Sequence, residues 1–133
     1  MTEEVLSIRL DKSAVARFSV LALLTVVLVG GAMAQSWTTD PSDMPTSRYY
    51  LTSSVGPDGS IYAIGGRDSN FDVVSTVERY DPDSDSWSTV TSMPTSRYRL
   101  TSSVGPDGSI YAIGGQDSNF DVVSTVERYD PDS

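Results

Sequence analysis

Between residues 49 and 91, polar and apolar residues alternate over short stretches, and turn-forming clusters separate one stretch from the next. Tyr49, Leu51, Ser53 and Val55 alternate with Tyr50, Thr52 and Ser54, the period-2 pattern of a pleated strand. Gly56-Pro57-Asp58-Gly59 supplies a turn, and Ile61 to Ile64 then makes a second run suited to a sheet, ending at Gly65-Gly66. A polar loop from Arg67 to Asp72 leads into a third run, Val73 to Tyr80. Asp81-Pro82-Asp83-Ser84-Asp85 turns the chain again, and Trp87 to Thr91 makes a fourth. No stretch beyond residue 34 has helical periodicity, so the pattern predicts an all-β chain of short antiparallel strands.

The pattern then recurs. Segments 44–84 and 93–133 align with a shift of 49 residues, and of 41 aligned positions only two differ: Tyr50 against Arg99, and Arg67 against Gln116. Self-similarity at a fixed period signals a repeat architecture, in which no unit buries its apolar face alone. Four strands per repeat is the content of one propeller blade.

A Gly-Gly doublet closing the second strand, a Tyr in the third and a Trp opening the fourth resemble the kelch motif, whose period is about 50 residues. In this chain the set is Gly65, Gly66, Tyr80 and Trp87, then Gly114, Gly115 and Tyr129. Arg48 and Arg97, each following Met-Pro-Thr-Ser, match the arginine that precedes the first kelch strand. The resemblance implies an all-β fold of kelch-type β-propeller blades, each of four antiparallel strands, with two blades' worth in this chain. The glycines would permit close backbone approach, and the Tyr and Trp rings would fill the space between blades.

The second copy reaches Ser133 before its Trp and fourth strand, while Gln35-Ser36-Trp37-Thr38-Thr39 is similar to Asp85-Ser86-Trp87-Ser88-Thr89. Residues 35–43, with Trp37, are therefore expected to be an orphan fourth strand, followed by kelch repeat 1 over 44–92 and kelch repeat 2, lacking its last strand, over 93–133. Propellers generally have four to eight blades. The chain is thus expected to be a partial propeller, completed by further blades of a longer chain or by a homo-oligomer of two to four copies, a trimer first among them.

Residues 1–34 read as a signal peptide. Arg9, Lys12 and Arg17 precede the apolar run Phe18 to Val29, and Ala32-Met33-Ala34 offers small residues for cleavage after Ala34. A signal anchor is the alternative, since Phe18 to Ala34 is 17 residues long, at the lower edge of the roughly 20 a spanning helix needs. Both readings put the repeats outside the cytoplasm, because Lys12 and Arg17 hold the short flank inside. The expected locations are secreted, periplasmic or cell surface, or membrane-anchored through residues 18–34.

Composition removes most familiar chemistry. The chain has no Cys and no His, which excludes disulfides, thiolate metal sites, thiol nucleophiles, imidazole bases and the Ser-His-Asp arrangement. A net charge of -9 argues against nucleic acid as a partner. The Lys-free acidic surface beyond residue 34 is explained by solubility or by adaptation to high salt and does not require a cationic partner. Asp81, Asp83 and Asp85 are spaced like the first calcium-loop ligands, but Ser86 stands where that loop needs glycine and Ser92 where it needs a bidentate carboxylate, so ordinary turn chemistry is expected there. No metal and no cofactor are expected. Glu78 and Glu127, the glutamates of the third strand, are expected on a solvated strand face, paired with Arg.

Both inter-repeat differences fall on one rim, at the start of the first strand and in the loop after the second. Loops on a rigid scaffold carry recognition, although drift alone would also produce two changes. The candidate binding surface is Tyr50, Arg67, Asp68, Asn70, Phe71, Arg99, Gln116, Asp117, Asn119 and Phe120. Arg and aromatics there suit protein partners, and aromatics beside Asn, Asp and Gln also suit a glycan. The expected function is an exported, non-catalytic binding module. The alternatives are a fragment of a carbohydrate-active kelch enzyme of the mutarotase kind, and a structural surface repeat. Kelch copper oxidases use His and Cys, which this chain lacks.

Overall fold

The computed structural model describes residues 36–133; the expected signal peptide, and Gln35, lie outside the described residues. Residues 38–133 form one compact unit. Every element described is a strand: β1 (Arg48–Tyr49), β2 (Thr52–Val55), β3 (Ile61–Ile64), β4 (Arg67–Asp68), β5 (Val77–Asp81), β6 (Ser86–Val90), β7 (Thr101–Val104), β8 (Ile110–Ile113) and β9 (Val126–Tyr129).

Strands β2-β3-β5-β6 form a four-stranded antiparallel sheet, and β7-β8-β9 repeat its first three strands in the same register. These are the expected blades, the second open at the outer edge of β9. The blades meet at a seam between β2 and β7, where the Ser54 hydroxyl donates to Ser102 Oγ at 2.8 Å and the Ser102 hydroxyl donates to the Ser53 carbonyl at 3.2 Å. The core lies between the sheets: Tyr62, Ile64 and Val77 on one side, Ile110 and Ala112 on the other, with Met93 and Leu100 between them.

Three local expectations change. The first strand is not continuous from Tyr49 to Val55. Tyr50 takes φ 54°, which splits it into β1, paired with β4, and β2, paired with β3. The third strand starts at Val77, because the residues before it close the rim loop: Val73 bridges Arg67, and the Val74 amide donates to the Gly66 carbonyl at 3.0 Å. Residues 36–43 carry no strand, and Trp37 is 102% exposed. A fourth strand needs the open edge of a third, and in the first blade β6 already occupies that edge. Ser42 instead binds the turn before β6, its amide donating to Asp85 Oδ1 at 2.7 Å and its carbonyl accepting the Trp87 indole N–H at 2.9 Å.

Candidate functional site: an arginine-aromatic rim

Two buried arginines fix the blades. The Arg48 guanidinium, fully enclosed, donates to the carbonyls of Gly65 and Thr76, both at 2.8 Å, and pairs with Glu78 at 2.9 Å. Arg97 repeats this with the carbonyls of Gly114 and Thr125, at 3.0 and 2.9 Å, and with Glu127 at 2.9 Å. The glutamates do pair with Arg, as expected, but the solvated face does not exist: Glu78 is 2% exposed. Both faces of a propeller strand lie between layers, so the polar-outward rule of a two-layer sheet fails for β5. Thr46 completes the Glu78 site, its hydroxyl donating to Oε1 at 2.7 Å.

These anchors hold the rim. Gly65 and Gly66, at φ 62° and 101°, turn the chain from β3 into the loop that carries Arg67 to Phe71, and Gly114 and Gly115 repeat the turn. Among the described residues the non-glycine positions with positive φ are Tyr50, Phe71, Arg99, Phe120 and Asp85. Four of these five belong to the candidate surface, where backbone strain is held by the rigid blades and projects the side chains outward.

The structure brings most of the expected residues together. The Arg99 guanidinium lies 4.6 Å from the Tyr50 ring centroid and 5.5 Å from that of Tyr98. Arg67 lies 5.4 Å from both the Tyr98 and the Phe120 centroids while its Nε and Nη2 donate to the Phe71 carbonyl. Tyr49 joins the strip, 5.0 Å from Tyr50 and 6.5 Å from Phe71. Gln116 takes the place of Arg67 in the second repeat, with Nε2 donating to the Phe120 carbonyl at 3.2 Å. Arg99 of the second repeat thus stacks on its own counterpart Tyr50, and Arg67 of the first repeat stacks on Tyr98 and Phe120 of the second, so an arginine crosses the blade boundary in each direction.

Tyr49 and Tyr98 were missed by a comparison of the repeats, because they are identical in both. Their signal was an aromatic next to each buried arginine. Asp68 and Asp117 do less than expected at a surface. Asp68 Oδ1 accepts the amides of Asn70 and Asp72, and Asp117 Oδ1 those of Asn119 and Asp121, so both carboxylates shape their own loops. Asn70 and Asn119 stand exposed beside the phenylalanines.

Charge singles out two cations. Arg48 and Arg97 are buried with glutamates, and Arg79 and Arg128 pair with Asp58 and Asp107. Arg67 and Arg99 have no carboxylate within salt-bridge distance among the described residues. The rim is thus an aromatic strip with two arginines outside any ion pair, flanked by the loop carboxylates Asp68, Asp72, Asp117 and Asp121, on a protein of net charge -9.

The opposite rim holds turn carboxylates. Burial works against the charge of Asp58, but hydrogen bonds from Arg79 and Ser60 outweigh it and hold the carboxyl below its usual 3.8. The Ser42 amide, the Tyr80 hydroxyl and the Ser42 hydroxyl do the same for Asp85, and Ser109 does so for Asp107. Asp81 accepts the Asp83 amide as a turn residue. A carboxyl depressed by folding stabilises the fold above its unfolded value, and that stabilisation is lost as pH falls through the folded value. The urea midpoint should therefore stay level, or rise slightly as net charge is neutralised, from pH 7 to about 4, and fall below it. A midpoint still rising at pH 2 would contradict this assignment.

The kelch-motif family profile matches residues 48–94 and 97–133. The chain is similar to beta-scruin of Limulus polyphemus, 35% identical over 51 residues, covering 38% of this chain and 6% of that protein. It is also similar to alpha-scruin of the same species, 39% identical over 51 residues, covering 38% of this chain and 5% of that one. The chain thus matches only about one twentieth of each relative's length. Kelch repeats suggest a protein-binding module, and the family consists mostly of non-enzymatic binding scaffolds. With two blades of antiparallel strands, a buried arginine in each and a profile match over both repeats, the chain belongs to the kelch-motif family.

Proposed function

We propose that this chain is an exported, non-catalytic binding module that recognises a partner protein through the rim built from Tyr49, Tyr50, Phe71, Arg99, Arg67 and Phe120. One observation carries the reading: Arg67 and Arg99 are held against aromatic rings without carboxylate partners, in a chain of net charge -9. Aromatics and Arg dominate binding hot spots because they bury large rigid areas and donate several hydrogen bonds. Arg67 is half-buried and spends Nε and Nη2 on the Phe71 carbonyl, so the exposed Arg99 is the main donor to an acidic or aromatic segment of a partner. The exposed Asn70 and Asn119 beside the phenylalanines support a glycan as the second ligand class. Export follows from the signal peptide reading of residues 1–34.

Selection from a displayed peptide library, with a glycan array in parallel, tests the reading. Selected peptides should be rich in Asp, Glu and aromatics, and their affinity should fall as salt rises. Phe71→Ala and Phe120→Ala should each weaken binding about tenfold or more while leaving the melting temperature nearly unchanged, since both rings are exposed. Ligands that bind parent and variants equally would remove the rim from the account. Turnover of a bound sugar would favour the enzyme alternative, and no ligand of either class would favour a structural repeat.

A further inference from the structure

The two repeats are so alike that the contact between them shows what each free face fits. Tyr62, Ile64 and Val77 of the first blade are buried against the second, Ile64 at 3% and Val77 at 4% exposure. Their counterparts on the second blade, forty-nine residues on, are Tyr111, Ile113 and Val126. Ile113 is 37% exposed and Val126 55%, on the face turned away from the first blade. The converse holds on the first blade, whose outer face carries Ile61, the counterpart of the buried Ile110. One end of the chain thus bears the face that the other end buries.

A second match lies at the open edge of β9. In the first blade, Trp87 pairs in register with Tyr80, their rings 5.1 Å apart, and its indole N–H donates to the Ser42 carbonyl. The counterparts of Tyr80 and Ser42 are Tyr129 and Thr91. Both line a cavity of about 180 Å³ between the blades, together with Tyr62, Met93 and Pro94. The cavity has the lining of a tryptophan seat, and no strand pairs the outer edge of β9 among the described residues. Trp37 lies in Ser36-Trp37-Thr38-Thr39, which matches Ser86-Trp87-Ser88-Thr89, and it precedes Met44 by seven residues as Trp87 precedes Met93 by six.

We propose that a second copy of this chain docks head to tail, the outer face of its first blade on Tyr111, Ile113 and Val126. Its residues 36–39 add to β9 as the fourth strand, and its Trp37 fills the cavity beside Tyr129. The same stacking that sets Ser86–Thr89 beside β5 brings this segment to β9, so face and strand form one contact. The contact is heterologous and closes into a ring where the blade rotation allows it. Four to eight blades correspond to two to four copies.

Light scattering and sedimentation of the full chain at micromolar concentration test this, with circular dichroism on the same peak. The expected result is a β-rich species of two to four times the monomer mass. Trp37→Ala and, separately, Val126→Glu should each return it to the monomer mass with the β signal kept, since both side chains are exposed in the single chain. In a Trp87→Phe background, emission from Trp37 should lie to the blue of free tryptophan and shift to the red when Val126→Glu is added. A parent chain monomeric at every concentration, a parent without β signal, an oligomer that survives both substitutions, or a water-exposed Trp37 in the oligomer would each overturn the proposal.

Discussion

Arg97→Ala is expected to cost about 3–5 kcal/mol of stability, the range for stranding one member of a buried ion pair. Arg97 is 0% exposed and bridges β8, β9 and the backbone between them. Its Nη1 donates to the carbonyls of Gly114 and Thr125, its Nη2 to that of Ala112 at 3.4 Å, and the same nitrogen lies 2.9 Å from Glu127 Oε2. That last approach is close but is not aligned as a hydrogen bond, so Oε2 relies on coulombic attraction alone. Removing the guanidinium leaves a largely enclosed carboxylate uncompensated and several carbonyls without donors. The backbone of Arg97 also joins the repeats, its amide donating to the Val74 carbonyl and its carbonyl accepting the Gly66 amide. Arg97→Lys should recover little, because one ammonium cannot reproduce a planar fork aimed at carbonyls and a carboxylate together. Replacing Arg48 and Glu78 together by apolar residues of similar volume should cost less than removing Arg48 alone, since no charge is stranded. Urea unfolding reads all four proteins. A loss under about 1 kcal/mol for Arg97→Ala, the scale of an exposed pair, would show that the arginine is not the anchor described.

The repeat, the antiparallel strand order within each blade and the anchoring arginines were legible because each leaves a local mark. The 49-residue shift is visible in the letters, the glycine doublets mark the positive-φ turns, and the recurrent arginines mark the anchors. What was not legible depends on residues far apart in the chain. Glu78 reads as a polar strand residue and becomes a buried one only because Arg48 arrives from thirty residues earlier, and Thr46 with it. Val73 has strand character in isolation, yet closing the rim loop on Arg67 claims its backbone first. The split between β1 and β2 has no sequence signature, since nothing about Tyr50 favours a positive φ; the flanking β1–β4 and β2–β3 pairings impose it. At the rim, comparing the repeats found the residues that vary and missed the tyrosines that hold them. Arg67 and Arg99 stack on Tyr98, which is common to both copies in kind and nearly buried.

Gly65→Ala and Gly114→Ala should separate backbone strain from contact between blades. The two glycines share φ 62°, so an alanine at either meets the left-handed penalty of about 1–2 kcal/mol. Their surroundings differ. A Cβ on Gly65 would lie 2.6 Å from the Arg97 carbonyl oxygen, 2.9 Å from Met93 Cε and 3.4 Å from Leu100 Cδ2, all in the next repeat. On Gly114 it would meet only the Val123 carbonyl oxygen, at an ordinary 3.4 Å. Met93 has a flexible end that can move, but the Arg97 carbonyl is fixed by the Gly66 amide and by the buried guanidinium behind it. Gly65→Ala must therefore push the blades apart or twist the loop, and its total cost should reach about 3–5 kcal/mol, in the tail of single substitutions. Gly114→Ala should stay near the strain term when measured on the monomer, for which the Val126→Glu background serves. Urea unfolding of the two variants gives the comparison, and equal costs would show that the close approach at Gly65 is not a tight constraint. Docking of a second copy adds a sharper consequence. Its Arg48 carbonyl would then meet Gly114 as the Arg97 carbonyl meets Gly65, so Gly114→Ala should weaken the oligomer while leaving the monomer nearly as stable as before.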